Sequence, residues 1–298
     1  MVESSKGPAI KLSEKSFEIS DYDLASTLTS GQAFRWRSIN DAWVGVVAGR
    51  WVRLSQRENK LLAETTGTAG DWGWLRDYLQ LDIELSQVIQ TFPKDAVMTT
   101  AVKATQGLRL LKQDHWECLA SFILSSTKRI VQIQQCVESL SDHFGEPLPV
   151  PAGFPARSDF PTPQRVAECS ESELRECKLG FRAPYLLEAA RRISQGKLQL
   201  SALEKAPINE AREQLMTLPG VGPKVADCVL LFGYGFPTAF PVDVWIYKAI
   251  QQLYFPKRRA SARQLQRFTQ TYFGPHSGYA QQYLFHYMRT KIGQTEVK

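Results

Sequence analysis

Leu218–Asp243, LPGVGPKVADCVLLFGYGFPTAFPVD, decides how the rest of the chain is read. Leu218-Pro219-Gly220-Val221-Gly222 reads as a tight hairpin between two helices, because Gly220 and Gly222 permit positive φ and close backbone approach. Such a hairpin leaves N–H groups of Gly220, Val221 and Gly222 bare, and bare N–H groups suit a phosphate. A phosphate contact of that kind is blind to base identity. The plain alternative is a helix–helix turn that touches nothing. Lys224 falls in the first turn of the following helix. The positive end of that helix and partial burial both disfavour an ammonium and favour the neutral, nucleophilic amine. A neutral lysine can attack C1′ of a nucleotide and form a Schiff base with the opened sugar. Read alone, it is a phosphate-binding lysine first. Asp243, nineteen residues further on, follows Pro241-Val242 where a helix begins. Capping would aim its carboxylate and keep it ionised. An ionised carboxylate near C1′ stabilises the positive charge that develops as a glycosidic bond breaks. Here the alternative is an N-cap and nothing more. Phosphate-binding hairpin, amine and carboxylate together point to an enzyme that works on DNA.

Bulk properties agree with that reading without requiring it. The chain has 298 residues with 43% hydrophobic content, enough for one or two domains, and a net charge of +6 that favours polyanionic partners. Five cysteines, an odd number without a CxxC pair, argue against a disulfide framework, a zinc site or an iron–sulfur cluster. Reduced thiols imply an intracellular protein. The N-terminus lacks the apolar core of a signal peptide, and no apolar run is long enough to span a membrane.

Outward from the hairpin, the first third of the chain is strand-rich. Trp43–Val47 and Trp51–Leu54 flank Ala48-Gly49-Arg50 as a hairpin, and Asn59–Thr66 adds a strand. From Asp114 the pattern turns helical. Asp114 caps a helix burying Trp116, Leu119, Phe122 and Ile123, and Ile130, Ile133, Val137 and Leu140 mark the next. Residues 145–163 read as a long loop. Thr162-Pro163 starts a helix, and Ser170 with Glu173 forms a capping box. Further helices are expected near 184–195, 208–216, 222–232, 243–254, 260–272 and 277–290. The fold class is α+β, with an N-terminal antiparallel sheet domain over 1–112 and a helical domain over 113–298.

The joint pattern LPGVGPK…PVD resembles the helix-hairpin-helix superfamily of DNA glycosylases, and within it most resembles the 8-oxoguanine DNA glycosylase/AP lyase family, from Thr29 to about Met288. The resemblance implies a helix-hairpin-helix bundle with the cleft between helical subdomains, Lys224 as Schiff-base nucleophile and Asp243 as catalytic carboxylate. Ser30-Gly31-Gln32-Ala33-Phe34-Arg35-Trp36 matches the family's SGQ-FRW segment, so the Gly31 carbonyl would read the N7–H that separates 8-oxoguanine from guanine. In the last helix Gln281 would read the Watson–Crick edge of the extruded base and Phe285 would stack on it, with Cys228 packing the opposite face. Phe181 would wedge the duplex and Arg182 would contact the orphaned cytosine. The implied partner is double-stranded DNA containing oxidised guanine, met by a monomer. No redox cofactor or catalytic metal is implied, and a structural monovalent cation is a candidate at the hairpin.

The match departs at four places. Thr127 stands where the family has an asparagine that fills the gap left by the base, and Gln132 stands where an arginine helps read the opposite cytosine, so opposite-base selectivity is open. Lys128 and Arg129 beside them are candidate phosphate contacts. Trp245 and Met288 replace a histidine and the aspartate that orients it, an apolar pair in place of a polar one. Lys257-Arg258-Arg259 forms a basic cluster with Arg263 and Arg267. The short C-terminal tail lacks a basic run, which favours a bacterial cytoplasm over a nucleus. Two rival readings stand: an alkylated-base glycosylase of the same superfamily, against which Lys224 argues, and a non-catalytic helix-hairpin-helix DNA-binding protein.

Overall fold

The alternation over residues 43–66 folds as a meander in a computed structural model that describes residues 10–126, 128–256 and 260–295. Five strands, β1 (Leu12–Glu18), β2 (Arg37–Ile39), β3 (Ala42–Val47), β4 (Arg50–Arg57) and β5 (Lys60–Thr66), form an antiparallel sheet in the order β1-β5-β4-β3-β2. The expected hairpin is a two-residue turn. Ala48 and Gly49 take φ of 49° and 68°, and Val47 pairs with Arg50. Positive φ at both positions gives the turn whose twist matches the strands. Arg50, expected in the turn, therefore opens β4. Strands β1 and β2 were not foreseen; β1 is an outer strand that buries Phe17 and exposes most of its other side chains.

The helices are α1 (Leu24–Thr29), α2 (Gly73–Leu79), α3 (Leu85–Gln90), α4 (Ala96–Ala104), α5 (His115–Leu124), α6 (Ile130–Phe144), α7 (Pro163–Ala167), α8 (Glu171–Glu176), α9 (Ala183–Ser194), α10 (Ile208–Met216), α11 (Pro223–Phe232), α12 (Val244–Tyr254), α13 (Ala262–Tyr272) and α14 (Ser277–Thr295). Local chemistry sets their starts. Asp114 accepts from Glu117 N–H at 2.8 Å to begin α5, Thr162 accepts from Arg165 N–H with Pro163 next in line to begin α7, and Ser170 with Glu173 closes the capping box of α8. None of the described helices is long and apolar enough to cross a membrane.

Two hydrophobic cores organise these elements. The sheet, α1 and α2 enclose Phe17, Leu28, Trp36, Leu54, Leu61 and Leu75. The helical core runs from Leu119 and Phe122 of α5 through Val229 of α11 to Tyr283 of α14, and it also takes Leu85, Val88 and Met98 from α3 and α4. Helices α3 and α4, although they precede Asp114, thus serve the second core, whereas α2 stays with the sheet. Burial of this apolar surface is the main favourable term in folding.

A short segment joins the two cores and positions the site. Gln32 is fully buried, and its amide donates to the carbonyls of Thr27 and Arg109 at 2.9 and 2.8 Å while accepting from Leu111 N–H at 2.8 Å. A side chain satisfied on every side rigidifies the backbone that carries it.

Candidate active site

Several elements converge on one cleft of about 610 Å³: the segment from Leu28 to Ser38, the end of α5 with the start of α6, the first turn of α11 at Lys224, the start of α12 and the face of α14. Its wall includes Gly31, Lys224, Asp243 and Phe285, so the residues singled out for nucleophile, carboxylate and two of the base contacts meet in space.

The hairpin is built as its sequence implies, with one difference. Gly220 takes φ +77°, and a Cβ there would lie 2.6 Å from Cδ2 of the Tyr185 ring. Only glycine allows both that conformation and that approach. Gly222, by contrast, has φ −97°, and a Cβ on it would meet nothing within 4 Å. Its value is open space in front of the helix, not unusual φ. Gly222 is the N-cap of α11 and no side chain caps that end, so the first N–H groups of the helix remain for an anion. Val221 is spent internally, its N–H donating to Leu218 O at 3.2 Å.

Lys224 projects from the first turn of α11. Its amine donates to Ser125 Oγ at 3.1 Å, and Ser125 Oγ–H passes the chain on to Phe122 O at 2.8 Å. The amine also lies 5.2 Å from the centroid of the Phe122 ring. These contacts fix the aim of a long side chain that would otherwise lose most of its orientation to rotamer freedom. Asp243 is the N-cap of α12: Oδ1 accepts from Ile246 N–H at 2.8 Å. Burial nevertheless pushes its carboxyl above the ordinary range, and the Ile246 N–H and the nearby Lys224 only partly offset that. The capping bond opposes protonation as the sequence implies, and desolvation, which the sequence does not show, is the larger effect.

Gly31 sits at φ +81° against Phe285, Ile130 and Arg289. Its two neighbours are pinned. Ser30 O accepts from Gln282 at 3.0 Å, and Gln32 O accepts from Gln113 at 2.8 Å. The Gly31 carbonyl between them takes no donor among the described residues. Three successive carbonyls are thus held rigidly with the middle one left for a ligand, a condition an N–H donor would satisfy.

Other expected contacts are not on the cleft wall. Gln281 is buried one turn before Phe285, and its Oε1 has no partner. Cys228 is buried one turn past Lys224; burial pushes its thiol up to about 11, with the Lys224 amine beside it opposing. Phe181 stands 55% exposed on a short 3-10 turn, Gly180–Arg182, away from the cleft. The Arg182 guanidinium lies 4.6 Å from the centroid of that ring and 5.5 Å from the centroid of Tyr185, and desolvation lowers its pKa. Tyr185 therefore connects this turn to the Gly220 hairpin. Gln132 is exposed, and its Oε1 accepts from Arg129 N–H at 2.9 Å as part of the α6 cap. Lys128 and Arg129 line the cleft mouth, with Lys128 Nζ donating to Lys178 O at 3.1 Å. Thr127 and Lys257-Arg258-Arg259 lie outside the described residues.

Trp245 lines the cleft and is 38% exposed, with Lys248 Nζ 5.9 Å from its ring centroid, whereas Met288 is buried. Ser125 and Arg289 are polar lining residues outside the sequence-derived set. Ser125 is found only by its bond to Lys224. Arg289, lining the cleft from α14, carries no local motif at all.

This constellation matches a known class of protein. Residues 16–119 match the 8-oxoguanine DNA glycosylase N-terminal domain, and residues 120–275 match the HhH-GPD superfamily of base excision DNA repair proteins. The chain belongs to that superfamily, in its 8-oxoguanine DNA glycosylase branch. It is 32% identical over 262 residues to the N-glycosylase/DNA lyase of Saccharomyces cerevisiae, covering 79% of this chain and 69% of that one. It is 30% identical over 284 residues to N-glycosylase/DNA lyase OGG1 of Arabidopsis thaliana, covering 88% and 76%. The Clostridium acetobutylicum 8-oxoguanine glycosylase/lyase, solved with double-stranded DNA containing cytosine opposite 8-oxoguanine, superposes with a TM-score of 0.86 at 30% identity and covers 93% of this chain and 98% of that one.

Proposed function

We propose that this protein is a bifunctional DNA glycosylase/AP lyase that removes 8-oxoguanine from duplex DNA. The observation that supports it best is the meeting of Lys224, Asp243 and Gly31 on one cleft wall. The Gly220 and Gly222 N–H groups, with the uncapped start of α11, hold the strand by its phosphates. Phe181 enters the base stack beside the lesion and Arg182, already stacked on it, faces the orphaned partner base. The damaged nucleotide swings into the cleft, where Phe285 supports the ring and Gly31 accepts N7–H. Gln281 and Cys228 back that pocket from behind the wall.

The chemistry then balances without a redox partner. The Lys224 amine bonds to C1′ as the C1′–N9 bond breaks and its electron pair leaves on the base. Asp243 steadies the positive charge that spreads over C1′ and O4′. Ring opening gives an iminium on Lys224. Loss of a C2′ proton expels the 3′ phosphate by β-elimination, and water releases the enzyme. No catalytic metal or redox cofactor enters these steps, and a monovalent cation at the hairpin carbonyls would serve phosphate binding only. The enzyme acts as a monomer, in a reducing compartment that suits five buried free cysteines. The sheet domain, residues 1–112, supplies Gly31, and the helical domain, 113–298, supplies the reacting groups.

Incubation with a duplex holding 8-oxoguanine opposite cytosine, followed by a denaturing gel, tests this reading. A nick 3′ to the lesion without alkali is expected, and repeating it with each opposite base measures what Thr127 and Gln132 do to selectivity. Base release that needs alkali to break the strand would point to the water-using alkylated-base class, and no release at all to a binding module.

A further inference from the structure

Arg289 extends from α14, four residues after Phe285, onto the wall of the cleft. Its Nη2 donates to Thr29 O at 2.7 Å, while Nη1 is shut away from solvent and has no partner. A Cβ built on Gly31 would lie 3.3 Å from that Nη1 and 3.5 Å from Cε1 of Phe285. No carboxylate pairs with this guanidinium among the described residues, and burial alone lowers its pKa. A desolvated cationic donor without an acceptor is costly to leave as it is, so the arrangement calls for an acceptor from outside the chain.

We propose that Arg289 is a second reader of the lesion, donating from Nη1 to the exocyclic oxygen on C8 of the base whose N7–H meets the Gly31 carbonyl. On 8-oxoguanine that N–H and that oxygen are neighbours on the five-membered ring, and here an acceptor and a donor stand side by side to meet them. Guanine shows a lone pair at N7 and a carbon-bound hydrogen at C8, so it offers Arg289 no oxygen there. The inference rests on 8-oxoguanine being the substrate.

The test compares wild type, Arg289→Leu and Arg289→Lys on duplexes carrying 8-oxoguanine or 8-thioguanine opposite cytosine. 8-Thioguanine keeps N7–H but replaces the oxygen by sulfur, a weaker acceptor. Each single-turnover excision rate is divided by the same protein's rate of nicking a preformed abasic site, which removes differences in folded fraction. Arg289→Leu is expected to lose roughly 10- to 100-fold on 8-oxoguanine and no more than about 3-fold on 8-thioguanine, with Arg289→Lys recovering part of the loss. Equal losses on both bases would mean that Arg289 acts by holding the Thr29–Gly31 segment, and would overturn the inference. So would an undiminished rate on 8-oxoguanine. Wild type that nicks abasic sites yet leaves 8-oxoguanine in place would overturn the proposed substrate as well.

Discussion

The two hairpin glycines give the sharpest forecast because their surroundings are opposite. At Gly220, alanine would hold φ +77° and place its Cβ 2.6 Å from Cδ2 of Tyr185 and 2.9 Å from Cγ. Left-handed backbone costs an L-residue roughly 1–2 kcal/mol, and forcing a methyl into a packed ring adds about 1–3 kcal/mol. Gly220→Ala should therefore destabilise by roughly 2–5 kcal/mol, which for a chain of this size lowers Tm by about 5–15 °C. Gly222→Ala is a different experiment. At φ −97° with nothing within 4 Å, alanine fits the free protein and Tm should hold. The new methyl instead stands where a phosphate would approach the first N–H groups of α11, and affinity for undamaged duplex should fall about 3- to 10-fold. Thermal unfolding by circular dichroism and fluorescence anisotropy on the same preparations read the two effects separately. An unchanged Tm for Gly220→Ala would refute the close approach to Tyr185. A Gly222→Ala protein that melts early but binds DNA normally would refute the phosphate reading of the hairpin.

Other outcomes follow from the same site. Asp243→Asn can still cap α12 through its amide oxygen and removes a buried charge, so Tm should hold or rise while excision falls roughly 100- to 1,000-fold. Because burial raises Asp243, wild-type excision should decline on the acid side from a pH above the ordinary carboxylate range, measured as a single-turnover pH profile. His286, buried on α14 with its pKa lowered to about 4, stays neutral in the fold while the unfolded chain takes up its proton near 6.5. Stability from this group is thus intact above pH 6.5 and lost as pH falls towards 4, by up to about 3 kcal/mol, and urea titrations of His286→Leu should show that slope removed. Phe181→Ala should keep Tm, since the ring is 55% exposed, but slow excision from duplex DNA more than nicking of an abasic site, which needs less unstacking.

Much of this architecture was legible in the sequence because its local signals agree with its packing. Asp114, Thr162 and Ser170 each name a helix start, and each cap forms. Strands β3 to β5 carry runs or alternations of buried apolar residues that β1 lacks, and β1 escaped notice because an outer strand facing solvent needs no apolar pattern. Helices α3 and α4 are short, and their few buried residues, Leu85, Val88 and Met98, do not repeat long enough to show a period. In the site, Lys224, Asp243 and Gly31 were readable because each sits in a motif with backbone consequences. Gln132 was singled out for the opposite base, and the sequence did not show that its Oε1 also accepts from Arg129 N–H in the α6 cap. Arg289 was invisible in one dimension: an arginine on a helix says nothing until folding brings Thr29 and Gly31, some 260 residues earlier, against it. The upward push on the Asp243 pKa was unreadable for the same reason, since burial is a property of the assembled cleft.

The account's central claim is a covalent bond between one amine and the lesion's sugar. Borohydride added during the reaction with an 8-oxoguanine duplex, followed by proteolysis and mass spectrometry, locates that bond. The reduced deoxyribose should be found on Lys224, and Lys224→Gln should yield none. An adduct on a different amine, or base release with no adduct at all, would contradict it.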